Sequence, residues 1–334
     1  MIMLTKQKIP KSVLNNIFER FDLAVKKCYP LATSGNLSYL IETKNGSFFL
    51  RLCPSGQRWR SKNEILAEIE LLDHLHKNHF PVGISLKDKN GRSIISWGRH
   101  HGYIRKFIKA REKLHPTLKE IEIFGRTVGR LHALTENFQT KHKRNHIFDY
   151  SSTKKHFNKL KALILRSHFK GAKHFIESHS KAILSLHFSS QLPRGVLHED
   201  LGKRHVLWSR GKIAQIVDFD RSYFGPLVFD LGQACRGWCF SSNWKGWSNE
   251  KFKVLIWGYE ESRKLDVNEK RDLVDAIKFA ILERALAFCL RYVYVTHDSK
   301  DAAFARDSLF RQIKMIENNC TRIEKILTTE YGKK

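Results

Sequence analysis

None of the six cysteines (28, 53, 235, 239, 289, 320) belongs to a Cys-x-x-Cys pair. That argues against a cysteine-based metal ribbon or a disulfide scaffold and favours free, mostly buried thiols in a reducing compartment. Cys235 and Cys239 stand one helical turn apart inside an apolar run. Long hydrophobic runs are missing too. No window reaches the roughly 18 consecutive apolar residues that a membrane-spanning helix needs, and Met1 to Arg20 lacks an apolar signal region. The expected location is cytoplasmic, with the inner membrane surface as a peripheral alternative. Acid is scarce: 33 Asp and Glu stand against 60 Lys and Arg, a net charge of +27. The basic residues run along the whole chain, so there is no basic tail. Such a field attracts anionic surfaces or anionic substrates; the alternative is a general solubility property. Nucleic-acid binding would rest on charge alone, without a motif, and is not expected.

A chain of 334 residues with 42% hydrophobic content can bury a substantial core in two lobes. Its most informative stretch is His198-Glu199-Asp200-Leu201-Gly202-Lys203-Arg204-His205-Val206-Leu207-Trp208, followed by Ile216-Val217-Asp218-Phe219-Asp220. Asp200 and Asp218 each fall in a turn beside a short apolar strand, with the polar His205 five residues after the first. Phosphoryl transfer from ATP needs such a set. One carboxylate orients and deprotonates the attacking hydroxyl, while a second carboxylate and a polar ligand hold magnesium.

This stretch resembles the catalytic and metal loops of the aminoglycoside phosphotransferase and choline kinase family, relatives of the protein kinases. The usual form is His-Gly-Asp-Leu-His-x-x-Asn-Val-Leu and then Ile-Asp-Phe-Asp. His198, Asp200, Leu201, Val206, Leu207, Asp218, Phe219 and Asp220 match it. Glu199 replaces the usual Gly, Gly202 a frequent His, and His205 the metal-binding Asn. Imidazole is a poorer magnesium ligand than a carbonyl oxygen. Either catalysis is weakened, or His205 works in an active enzyme of another subfamily, since the similar lipopolysaccharide core sugar kinases carry His there.

Residues 1–108 read as a β-rich nucleotide-binding lobe. A helix is expected over Lys11 to Lys27, strands on both sides of Ser34-Gly35-Asn36, and a hairpin turn at Asn45-Gly46. A strand over Ser47 to Cys53 should follow, then a helix over Ser61 to Asn78 with the stripe Ile65, Ile69, Leu72, Leu75. A second hairpin should join Ile84–Leu86 to Ser93–Trp97, and Tyr103 to Ile108 should form the last strand. By resemblance, Ser34, Gly35 and Asn36 lie over the ATP phosphates, and Arg51 stands where kinases place the phosphate-gripping Lys. Glu68 is its expected partner, with Glu64 one turn away as the alternative; an ordinary exposed strand arginine is the other reading of Arg51.

Residues 109–334 should be mostly helical and carry the catalytic, metal and acceptor-binding parts. Leu118 to Leu134 reads as a helix whose Gly125 and Gly129 permit close packing, with His132 a hydrogen-bonding core residue. Ser151 to Lys173 is a basic helix, either a solvated face or a site for an anion. Gly225-Pro226 and Asp230-Leu231 match the resemblance again, and Asp230, at a helix start, is expected to brace the catalytic loop. Arg236-Gly237-Trp238-Cys239-Phe240 is similar, more loosely, to bacterial homoserine kinases of the same fold. Long helices are expected over Asp272–Val295 and Phe304–Thr328.

The fold class expected is therefore α+β: a bilobal protein-kinase-like fold with an antiparallel β-sheet N-lobe bearing one main helix and a mostly helical C-lobe. The resemblance implies transfer of the γ-phosphate of ATP to a hydroxyl of a small, homoserine-like or sugar-like acceptor. Asp200 would act as base with His198 bracing its loop. Asp218, His205 and Asp220 would hold Mg2+, or Mn2+ in its place. Asp220 is equally readable as an acceptor-pocket residue. A lipopolysaccharide core sugar kinase and a nucleotide-binding pseudokinase are the alternatives.

Overall fold

The computed structural model describes residues 8–31, 36–53, 60–142, 144 and 148–329. The chain divides into two compact units, one of residues 1–111, 139–145 and 207–220, the other of residues 112–138, 146–206 and 221–334. A single cut at 108/109 therefore does not describe it. Residues 207–220 fold with the N-terminal unit because Ile216 N donates to Pro81 O at 2.7 Å and Arg105 donates to the Gln215 side chain at 3.2 Å.

The first unit holds α1 (Lys11–Arg20), β1 (Val25–Leu31), β2 (Leu37–Thr43), β3 (Gly46–Cys53), α2 (Lys62–Lys77), β4 (Ile95–Trp97) and β5 (His100–Lys106). The five strands form an antiparallel sheet in the order β1-β2-β3-β5-β4. Beta2 and β3 bury Tyr39, Ile41, Leu50 and Leu52 in one core with Ile17, Phe18 and Ile104. Helix α1 stops seven residues short of its expected end, because Asp22 takes a left-handed backbone (φ 53°) and β1 begins at Val25. Helix α2 starts where its sequence says: Ser61 Oγ accepts from Glu64 N, and the Glu64 carboxylate accepts from Ser61 N.

The expected hairpin between 84–86 and 93–97 does not form. Beta4 is three residues long and begins only at Ile95, opposite Gly102. Ser85 and Leu86 instead occupy the next stretch of the β5 edge, through a Ser85–Arg105 bridge and a bond from Leu86 N to Ile104 O. Asn90-Gly91 still turns, with Asp88 accepting from the amides of Asn90 and Arg92.

The second unit is mostly helical. Following the two-residue strand β6 (Arg111–Glu112) come α3 (Leu118–Thr135), α4 (Tyr150–Arg166), α5 (Ala172–Leu184) and β7 (Arg194–Leu197). The hairpin of β8 (Val206–Ser209) and β9 (Lys212–Ile216), which but for Val206 belongs to the first unit, precedes β10 (Tyr223–Pro226), which pairs antiparallel with β7. Helices α6 (Leu227–Cys239), α7 (Asn249–Ser262), α8 (Val267–Arg291), α9 (Ser299–Asp307) and α10 (Ile313–Thr328) complete it. The single helix expected over 304–328 is thus two, with a π-turn at Ser308–Gln312 between them. Helix α8 is buried along most of its length, the carboxylates Glu269, Asp272 and Glu283 included.

Cys53, Cys235, Cys239 and Cys289 are buried free thiols, and Cys28 and Cys320 are half-buried. Among the described residues no helix is long and apolar enough to cross a membrane.

The α3–α7 crossing depends on glycine. A Cβ on Gly125 would stand 2.1 Å from the Leu255 carbonyl oxygen, and one on Gly258 2.1 Å from that of Glu122. Gly125→Ala should therefore destabilise the fold by about 1–3 kcal/mol, although alanine is the better helix former. A denaturant midpoint unchanged or raised in that variant would contradict so close a crossing.

Candidate functional site

Beta3 carries Arg51 into the interior of the first unit, where only 6% of the residue is exposed. Its guanidinium faces three carboxylates: Nη2 lies 2.7 Å from Asp220 Oδ2, and Nη1 lies 3.3 Å from Asp218 Oδ1 and 3.8 Å from Glu68 Oε1. The Asn36 carboxamide lies 3.1 Å from Nε and Nη2 of Arg51, so its oxygen is the atom that faces them. Ser34 and Gly35 lie outside the described residues.

Glu68 is held chiefly by a residue the sequence reading missed. Arg60, just ahead of the α2 cap, makes a short ion pair with Glu68 Oε2, while Tyr103 Oη donates to Oε1 at 2.8 Å. Burial works to raise the Glu68 pKa, but Arg60 and then Arg51 hold it down to about 2. Glu64, the alternative partner, is engaged by the α2 cap.

Asp218 and Asp220 follow β9 on a turn in which Asp218 adopts a left-handed φ of 71°. Burial, then the charge of Asp218, push the Asp220 carboxyl above its usual range, against the pull of Arg51. Two oxygen donors with this mutual repulsion suit a hard divalent cation completed by phosphate oxygens and water. Among the described residues no three His, Cys, Asp or Glu side chains stand together as a metal cluster.

The other loop lies in the second unit, after β7. Glu199 also takes a left-handed backbone, φ 70°, which accounts for the glycine usual there. The loop is fixed by Asp230 in the first turn of α6. Asp230 Oδ2 accepts from His198 N and Oδ1 from Glu199 N, both at 2.8 Å. Helix α6 starts at Leu227, so Asp230 is inside the helix rather than at its start. His132 also reaches Asp230, through Nε2 at 3.2 Å, and Tyr259 Oη through Nδ1 at 2.8 Å. His198 is fully buried, and its Nδ1 accepts from Asp200 N at 3.1 Å. His205 Nδ1 donates to the Asp200 carbonyl at 2.6 Å, so in the neutral ring the lone pair is on Nε2.

Asp200 itself accepts from Arg284 Nη2 at 3.1 Å. Burial opposes ionisation, but Arg284, then His205 and Arg221, hold its carboxyl well below the usual range. Around it lies a charge cluster the sequence reading also missed. Arg221 Nη2 is 2.7 Å from Glu283 Oε1 and 3.7 Å from Glu199 Oε1, and Gln233 Nε2 donates to Glu199 at 3.2 Å. Burial, more than Arg221 can offset, pushes the Glu199 carboxyl well above its usual range.

The chain belongs to the phosphotransferase enzyme family, whose model matches residues 30–265. It is therefore an enzyme of the kinase type, built on the protein-kinase-like fold. It is 23% identical over 272 residues to a homoserine kinase of Zymomonas mobilis, covering 79% of this chain and 80% of that one. Among solved structures it is similar to the amicoumacin kinase hAmiN, in complex with AMP-PNP, Ca2+ and Ami. That likeness has a TM-score of 0.69 at 15% identity and covers 93% of this chain and 94% of the other. A microcompartment-associated aminopropanol kinase gives a TM-score of 0.68 at 17% identity, over 96% of this chain and 100% of the other.

Glu68→Gln leaves two buried arginines short of a counter-charge and should cost about 3–5 kcal/mol at neutral pH. Because the folded pKa of Glu68 lies below its usual 4.5, at about 2, its contribution is complete above pH 4.5 and fades as pH falls toward 2. The stability gap between wild type and variant should narrow between pH 4.5 and 3 in urea titrations. A gap that stays constant would show that the carboxylate charge is not what matters.

Proposed function

We propose that this enzyme transfers the γ-phosphate of ATP to a hydroxyl of a small-molecule acceptor. The observation that carries the reading is Asp200: a strongly ionised carboxylate on a loop pinned by His198 and Asp230, in a chain of the phosphotransferase family. The acceptor oxygen, oriented by Asp200, forms a bond to the γ-phosphorus as the bond to the β,γ-bridging oxygen breaks. That oxygen leaves with ADP, and the hydroxyl proton passes to Asp200 and on to solvent. Since Asp200 is a weak base, its main work is orientation; a loose transition state asks little more of it early in the reaction.

Arg51, held by Glu68, grips phosphate oxygens, with the backbone of Ser34, Gly35 and Asn36 beside them. Asp218 and Asp220 are the residues that would hold Mg2+ or Mn2+, with His205 as a further ligand through Nε2. The metal, once bound, screens the negative charge of the β- and γ-phosphates. His198 positions the loop and takes no part in the chemistry. Homoserine-like and sugar-like acceptors both fit this scheme. Polycationic acceptors fit less well, since a +27 chain repels them at long range.

ADP release from Mg-ATP or Mn-ATP, measured with homoserine, choline and lipopolysaccharide core as acceptors, tests the reading. Acceptor-dependent turnover should fall by about 10²–10⁴-fold in Asp200→Asn. Nucleotide binding without turnover in either metal, across a wide acceptor panel, would leave a nucleotide-binding pseudokinase instead.

A further inference from the structure

Arg236 on α6 is 6% exposed, yet the proposed transfer gives it no task. Its Nε and Nη2 are shut off from water and have no hydrogen-bond partner among the described residues. Its guanidinium lies 4.6 Å from the ring centre of Trp244 and 5.8 Å from that of Phe304. Ring contacts of this kind favour the positive charge but accept little from in-plane N–H groups. An unpaired buried charge is among the costliest features a fold can retain.

The position of Arg236 is as informative as its isolation. The next two residues of α6 reach the catalytic loop: Trp238 Nε1 donates to the Leu201 carbonyl at 2.8 Å, and a Cβ on Gly237 would lie 3.6 Å from the same oxygen. The charges acting on Arg236 are those of Arg284, Glu283 and Asp200. Arg284 Nε, also buried without a hydrogen bond, lies 3.5 Å from Glu283 Oε2. Arg221 is paired with Glu283 and Glu199, and Arg284 with Asp200 and Glu283, so Arg236 is the arginine of this group left without a carboxylate partner among the described residues.

We propose that Arg236, beside Arg284, binds a carboxylate of the acceptor, so that the enzyme phosphorylates the hydroxyl of a small hydroxy acid or hydroxy amino acid. The inference rests on the phosphotransferase reading above and narrows its acceptor class. Trp244 and Phe304 lie over the guanidinium, which leaves its N–H edge for the anion. A single unpaired guanidinium suits a monoanionic carboxylate better than a phosphate dianion.

The test uses full-length wild type, Arg236→Met and Arg236→Lys with Mg-ATP and four acceptors: L-homoserine, L-homoserine amide, 3-amino-1-propanol and glycerol 3-phosphate. Wild type should prefer homoserine over its amide and over aminopropanol by on the order of 100-fold in kcat/KM. Arg236→Met should cut that preference to below about tenfold, through KM, and Arg236→Lys should restore part of it. Thermal melting gives a second readout. Homoserine should raise the Tm of wild type and leave that of Arg236→Met unmoved, and the variant alone should melt no lower than wild type. Equal use of the amide, a preference for glycerol 3-phosphate, or an undiminished preference in Arg236→Met would overturn the carboxylate assignment while leaving a phosphotransferase. Absence of turnover with all four acceptors would count against the phosphotransferase reading instead. Melting then decides the carboxylate site: a homoserine shift that Arg236→Met abolishes upholds it, and no shift in wild type overturns it.

Discussion

Everything in the second unit that bears on chemistry depends on one buried carboxylate. Asp230 accepts the amides of His198 and Glu199 and the ring of His132. A carboxylate is suited to this because it offers two oxygens, and hydrogen bonds to an ionised acceptor are about twice as strong as neutral ones. Its own ionisation is opposed by burial but held by His132 and the donated bonds, which bring its pKa below the usual range. The brace extends outward: His132 reaches Tyr259, whose hydroxyl accepts from Arg263, and Arg263 pairs with Glu269 in the cap of α8. A loop containing a non-glycine residue at φ 70° keeps that conformation because its neighbours over-determine it.

The charge balance of the interior differs from that of the whole chain. Among the described residues, those buried include ten carboxylates (Glu64, Glu68, Asp88, Glu199, Asp230, Glu260, Glu269, Asp272, Glu283, Asp301) but three arginines and no lysine. The positive excess of the chain is therefore not a property of this described core. It sets long-range steering and solubility, whereas the chemistry of each loop is set by a few matched pairs. Arg51 and Arg60 share Glu68, and Arg221 is shared by Glu283 and Glu199.

How much of this was legible follows from how local each signal is. Ser61 with Glu64 three residues on announces the start of α2, and Asn45-Gly46 announces the β2–β3 turn, because cap and turn chemistry are written within four residues. The loops at 198–205 and 216–220 stood out for the same reason: their residues lie at fixed short spacings, although the spacing says nothing of what holds them. Arg60, Arg284 and Glu283 were missed because their partners come from elsewhere in the chain: Arg284 lies 84 positions from Asp200, and Glu283 lies 62 from Arg221. Nothing in the local pattern marks such a residue. The expected hairpin at 84–97 failed for a related reason, since strand pairing is decided by which edge is open, and β5 offered one to Ser85 and Leu86. Glu199 looked like damage to a motif until its backbone angle was known.

The two arginines beside the catalytic loop pull in opposite directions, and the balance shapes the proposed chemistry. Arg284 stabilises the Asp200 carboxylate and so lowers its basicity, which would be a poor arrangement if a full proton had to move before the phosphorus is attacked. In a loose, metaphosphate-like transfer the attacking oxygen gains acidity only as its bond to phosphorus forms, so a weak base that is correctly aimed loses little. Aim is what Asp230, His198 and Arg284 supply. Arg236, by contrast, makes no hydrogen bond through its buried Nε and Nη2 to any described residue, a costly arrangement for a buried charge. A group that improves no contact in the free protein yet lies beside the loop that would orient the acceptor gains its partner only when something binds, so its cost is recovered as selectivity among acceptors.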